Sequence, residues 1–144
     1  MSEYKFQAAT IDYLKNHAAL LPLVGNRYHP SEAKDQKAGE VYIVYDQIGN
    51  DDPFNHAGDL GTPTALLEFK IYAPTPSLRL RVSDALKVAF DQRGKRTISE
   101  IYVANASREY VYDSKAEVTG EDGAARVSYR RLVNFRIRWQ DKLA

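Results

Sequence analysis

The chain has 144 residues, of which 44% are hydrophobic and 11% aromatic, with 20 Lys and Arg against 19 Asp and Glu. That length and apolar content suit a single domain spanning residues 1–144 around one core, and the near balance of charge excludes attraction to nucleic acid or an anionic membrane by net charge alone. The absence of Cys removes disulfides, thiol nucleophiles and thiolate metal sites, while a start without a signal-like segment and without any long apolar run predicts synthesis in the cytoplasm and no membrane partner.

From Tyr4 to His17 the apolar residues Phe6, Ala9, Tyr13 and Leu14 recur at helical spacing among Lys5, Asp12 and Lys15, which predicts a first amphipathic helix. The next stretch, Leu20 to Arg27, is apolar but broken by Pro22 and Gly25, and reads as a packed turn. A polar loop over 31–40 leads into the β-rich run Val41-Tyr42-Ile43-Val44-Tyr45, a strand over about 40–48. Gly49 to Pro63 holds three Gly, two Pro, two Asn and three Asp, a density of turn formers that predicts one long loop. Then Ala65, Leu67, Phe69, Ile71 and Ala73 alternate with Leu66, Glu68, Lys70 and Tyr72, the pattern of a strand with one face buried.

Thr75-Pro76 supplies a capping hydroxyl followed by Pro at the first helical position, so a second helix is expected from there to about Gln92. Leu78, Val82, Ala85, Leu86, Ala89 and Phe90 form one stripe along it, and Gly94 stands just beyond as a stop. Three β-like segments close the chain, at about 97–105, 108–118 and 126–140, the last two joined by the turn Gly120-Glu121-Asp122-Gly123. The order α-β-β-α-β-β-β, with strands in hairpins, predicts an α+β domain: a largely antiparallel sheet with two helices packed on one face.

Reactive constellations are hard to find. His17, His29 and His56 lack the spacing of a metal site, and Asp51, Asp52 and Asp59 lack that of a calcium loop. Nucleophile elbows and phosphate-cradling loops have no counterpart in the sequence, and neither catalytic nor cofactor-binding nor metal-ligating residues are expected. A carboxylate pair brought together from distant segments, such as Glu68 and Glu109, is the form a hidden hydrolase site would take. One surface pattern stands out. On the last strand Arg130, Arg136 and Arg138 share a face with Asn134 and Gln140, opposite Val133, Phe135, Ile137 and Trp139. This is either a solvated face that discourages edge pairing or a contact with acidic neighbours or DNA. Arg79 and Arg81 lie near the start of the second helix, where the helix dipole prefers anions, and so point to a partner outside the helix. Phe54 and Leu60 in the long loop have no period that brings them to a core, whereas Asp51, Asp52 and Asp59 keep such a loop soluble; the mixture suits either a segment ordered by a partner or a flexible hairpin tip with no partner.

The pattern Leu-Leu-x-Leu-Val-Gly-x-Arg-Tyr-x-Pro over residues 20–30, the run Val41 to Tyr45 with its long Gly-containing loop, and the strand Leu67 to Ala73 running through Pro74-Thr75 into a helix with Leu86 and Phe90 resemble, in order and spacing, the tail-completion or tail-terminator proteins at the neck of long-tailed bacteriophages. About the first two thirds of the chain carry this likeness. The resemblance implies a structural protein rather than an enzyme: a homo-oligomeric ring, hexameric in related phages, that caps the head-proximal end of the tail tube. Its partners would be copies of itself, the tail tube protein and the head–tail connector protein, with passing proximity to DNA in the lumen. It would be assembled in the host cytoplasm and reside in the virion. Another head–tail joining or minor tail protein is the nearest alternative, and a nucleic-acid-binding accessory protein using the arginine stripe is the alternative of a different class.

Overall fold

The computed structural model describes residues 3–32, 40–51, 54–55, 58–59, 64–90, 96–98, 101–119 and 125–141. Helix α1 (Glu3–Asn16) buries Phe6, Ala9, Ile11 and Leu14, and its buried Thr10 hydroxyl is satisfied by donating to the Phe6 carbonyl at 2.9 Å. The segment expected to be a simple packed turn contains one helical turn, α2 (Leu21–Val24), with Leu20 and Val24 fully buried at its two ends. Gly25 follows at φ 62°, a conformation that costs a side-chain-bearing residue and ends the turn abruptly. Arg27 then ties this corner to the sheet, donating from Nε to the Val41 carbonyl at 2.6 Å and from a terminal nitrogen to the Leu23 carbonyl at 3.2 Å.

Among the described residues eight strands follow in chain order: β1 (Tyr28–Pro30), β2 (Tyr42–Asp51), β3 (Phe54–Asn55), β4 (Gly58–Asp59), β5 (Thr64–Ala73) and, after helix α3 (Pro76–Phe90), β6 (Arg96–Ile98), β7 (Ile101–Thr119) and β8 (Ala125–Asp141). Six form one sheet in the order β1-β2-β5-β8-β7-β6, with only β1 and β2 parallel; β3 and β4 pair as a small separate hairpin. The fold is α+β, as the hairpin-rich order of elements predicts. Within the long loop expected over Gly49 to Pro63, the described residues are strand instead. Strand β2 continues past a bulge at Gln47/Gly49 until Asp51 faces Thr64, and Phe54 faces Asp59 in the β3–β4 pair. Asp52 and Leu60 lie outside the described residues, as does the turn 120–123, although Thr119 facing Ala125 shows β7 and β8 to be one hairpin.

Both long helices lie on one face. In β5 alternate residues from Ala65 to Ala73 are buried, and in β8 so are Val133, Phe135, Ile137 and Trp139. Against these pack Phe6 of α1, stacked on Trp139 at 4.6 Å, and Phe90 of α3, 4.7 Å from Phe135 and 5.9 Å from Phe69. The Tyr13 hydroxyl joins the two helices by donating to the Ala89 carbonyl at 2.7 Å.

The segments 97–105 and 108–118 are not two full strands. Strand β6 is only three residues long, and residues 101–119 form the single strand β7, interrupted by bulges at Val103/Asn105 and Arg108/Tyr110.

Candidate functional site

The face of the sheet away from the helices carries the arginine stripe, and the register shows what lies beside it. Arg138, Arg136, Asn134, Leu132 and Arg130 of β8 face Thr64, Leu66, Glu68, Lys70 and Tyr72 of β5 on one side. On the other they face Asn105, Ser107, Tyr110, Tyr112 and Ser114 of β7. Arg136 and Arg138 are exposed and Arg130 is half-buried. The sequence thus places the stripe correctly, but its electrostatics depend on neighbours from other strands. Glu109, in the second β7 bulge, accepts from Arg136 Nε. Arg130 Nε donates to Ser114 Oγ at 2.8 Å, and Lys70 stands 3.7 Å from Glu68. Acidic and hydroxyl groups interleave with the cations, so the face is not a continuous track of uncompensated positive charge.

Toward β1 the same face becomes aromatic. Tyr42 and Tyr72 stack at 4.7 Å with an interplanar angle of 9°, and His29 meets Tyr42 edge-on at 6.0 Å. Burial, with the neighbouring Tyr72, pushes the Tyr42 hydroxyl well above its ordinary titration range. Next to this stack, His29, Pro30, Ser31 and Glu32 line an open depression of about 500 Å³, where Ser31 Oγ donates to Asp46 Oδ1 at 2.7 Å.

Arg79 and Arg81 separate. Arg81 is exposed on α3. Arg79 has internal partners invisible to the sequence: its Nε is 3.6 Å from Asp113, a terminal nitrogen donates to the Ser114 and Arg130 carbonyls at 3.4 and 3.5 Å, and its guanidinium lies 5.7 Å from the Tyr129 ring. Asp113 also receives two bonds from Arg131, at 2.8 and 2.9 Å, and Arg131 reaches the buried Ser83 hydroxyl of α3 at 3.3 Å. The Arg131 bonds hold the Asp113 carboxyl below the usual carboxylate range. This cluster fastens the start of α3 to the β7–β8 hairpin.

The remaining surface features were not singled out in the sequence. Tyr110, Val111 and Tyr112 are all exposed on β7, as are Val127 on β8 and Ile48 beside the β2 bulge. Their signal in the sequence is only the loss of a clean apolar period. Glu68 and Glu109 are not brought together: they lie on β5 and β7 with β8 between, and each has its own cation. Among the described residues no three His, Asp or Glu side chains cluster so as to hold a metal ion, and no helix is long and apolar enough to cross a membrane.

No family model matches the chain, and no curated protein matches it. Solved structures do. One chain of the virion of a native gene transfer agent particle superposes with a TM-score of 0.63 at 18% identity, covering 93% of this chain and 93% of that one. At that identity the likeness shows a shared fold, and it runs over nearly the whole length of both chains.

Proposed function

We propose that this protein is a structural component of a phage-like virion, and more specifically a tail-terminator subunit that forms a homo-oligomeric ring at the head-proximal end of the tail tube. In that position it stops tail polymerisation and offers its opposite side to the head–tail connector. The observation that carries the reading is the near-complete fold correspondence with a chain of the gene transfer agent virion, joined to the independent resemblance of residues 20–30 and 67–90 to tail-completion proteins. The surface is consistent with it. Ring subunits need broad faces for neighbours rather than a concave reactive pocket, and the exposed Tyr110 and Tyr112 of β7 and Arg136 and Arg138 of β8 are of the residue types enriched at protein interfaces.

The interleaved acids on the arginine stripe argue against a nucleic-acid accessory role, because phosphate binding draws on cations that are free to release counterions. The deciding experiment is deletion of the gene from its own particle-producing host, with electron microscopy of the products. Tails of uncontrolled length, or tails and filled heads that fail to join, are the expected result, and the purified protein should label the neck in intact particles. Normal particles without it would sink the proposal.

A further inference from the structure

We propose that the outer edge of β7, together with a cavity beside it on the helix face, docks an extended segment of a partner protein carrying a carboxylate on a short apolar stem. This inference does not depend on a place in a virion.

Strand β7 is bonded to β8 along one side, but on the other β6 reaches only Ile101 to Val103. From Asn105 onward the outer row of backbone N–H and C=O groups has no strand neighbour among the described residues, and Glu109 to Asp113 are all exposed. Natural proteins guard such edges with bulges, charges and proline. The guards here leave a gap: both bulges lie before Tyr110 and the charged Asp113 and Lys115 come after Tyr112, so the stretch between presents Tyr110, Val111 and Tyr112 in succession. The opposite edge of the sheet shows the contrast, since β1 is three residues long, ends in Pro30 and is closed by Ser31 at φ 63°.

Beside this edge a cavity of about 390 Å³ is lined by Lys87 and Phe90 of α3, Ala106, Ser107 and Arg108 of β7, and Phe135 of β8. It exists because the first bulge turns Ala106 and Arg108 toward the helix layer, opposite Ile137 and Phe135. Phe90 and Phe135 are buried and form an aromatic floor. Lys87 and Arg108 line it from the two sides, and among the described residues neither has a hydrogen-bond or ion-pair partner. Arg27, Arg79, Arg130, Arg131 and Arg136 all have one. Two unpartnered cations above an apolar floor match a glutamate side chain: its methylenes cover the rings and its carboxylate meets both charges. An added strand supplies the main-chain bonds, and alternate side chains on it face the helix side. A phosphate backbone fits less well, having no apolar group for the floor and needing more than two cations.

The test uses the full chain and labelled, terminally blocked peptides of alternating threonine and valine with one central glutamate or glutamine, alongside oligothymidylate. Anisotropy should show the glutamate peptide binding about tenfold more tightly than the glutamine peptide, the worth of one charge-assisted bond. Lys87→Gln and Arg108→Gln should each erase that preference without changing the melting temperature. Amide exchange over Asn105 to Asp113 should slow when peptide is bound. Equal affinity for the two peptides, no binding of either, unchanged exchange at β7, or displacement of the peptide by oligothymidylate at equal concentration would each overturn the proposal.

Discussion

Strands β5 and β7 belong to one sheet yet obey different constraints. β5 is bonded on both sides and covered by α3; its inward residues Leu67, Phe69 and Ile71 are at most 1% exposed, and its alternation is unbroken over ten residues. β7 is nearly twice as long, has a strand neighbour among the described residues on its outer side only at its start, and tolerates two bulges and a run of exposed aromatic and aliphatic residues. A central strand must satisfy two neighbours and a helix layer together, so its sequence is dictated by packing. An edge strand is released from half of those demands, and that release is where partner-specific chemistry can be written.

The sharpest way to break the comparison is to put the same charge in both regions. Leu86, fully buried on α3 against the sheet, should not accept Asp: the unpaired carboxylate costs several kcal/mol, on the order of the whole stability of a small domain, and the protein should be insoluble or unfolded. Tyr112→Asp, on a residue 54% exposed, should change stability by less than about 1 kcal/mol. A soluble Leu86→Asp protein with a cooperative melt would mean that α3 is not core. Next in size, Phe69→Ala removes the ring that touches both Phe90 and Phe135 and should cost about 3–5 kcal/mol in urea denaturation, whichever face binds partners.

The same contrast explains what could be read from the sequence. β5 and α3 were legible because burial on one side imposes a strict period, two for the strand and 3.6 for the helix. β7 was misread as two strands because each bulge shifts the alternation. Ile101 and Val103 point inward, then Ala106 and Arg108, then Val111 and Asp113, so no single period covers the run. α2 and β1, at four and three residues, are too short to carry any period. The β3–β4 pair hid among turn formers because its strands are two residues each. The arginine stripe was legible as a face, but Glu109 and Ser114, which engage two of its members, come from another strand that only tertiary pairing brings alongside.

Two assembly predictions separate fold from partner contact. Asp51 and Thr64 already pair in the β2–β5 hairpin, so replacing residues 52–63 between them with an Asn-Gly turn should leave the melting temperature almost unchanged. If Phe54 and Asp59, with Leu60 and Asp52, contact a neighbour or the tail tube, the shortened protein should fail to rescue particle assembly; full rescue would show these residues to be dispensable. Charge reversal of Arg136 and Arg138 should be milder for the fold, about 1 kcal/mol or less at these exposed positions. Complementation should nevertheless drop if the stripe meets a neighbour, whereas wild-type complementation would mark it as a solvated face.

The smallest effect concerns how β7 is held without a second strand partner. Where β5 relies on apolar contact, β7 uses Asp113, bonded to Arg131 and close to Arg79. Because those bonds hold the Asp113 carboxyl below its ordinary value of 3.8, the folded state favours the ionised form. The stabilisation is therefore present above that value and is lost as pH falls through it toward the lower folded value. Asp113 is 40% exposed, so water screens much of the attraction, and Asp113→Asn should cost only about 1 kcal/mol at neutral pH. The urea midpoints of wild type and variant should draw together as the pH falls below 3.8, because the wild-type carboxyl then takes up its proton and loses its charge. A gap that persists undiminished into acid would show that shape and neutral hydrogen bonding, rather than charge, fasten this strand to α3. The edge would then be held by the same kind of force as the centre.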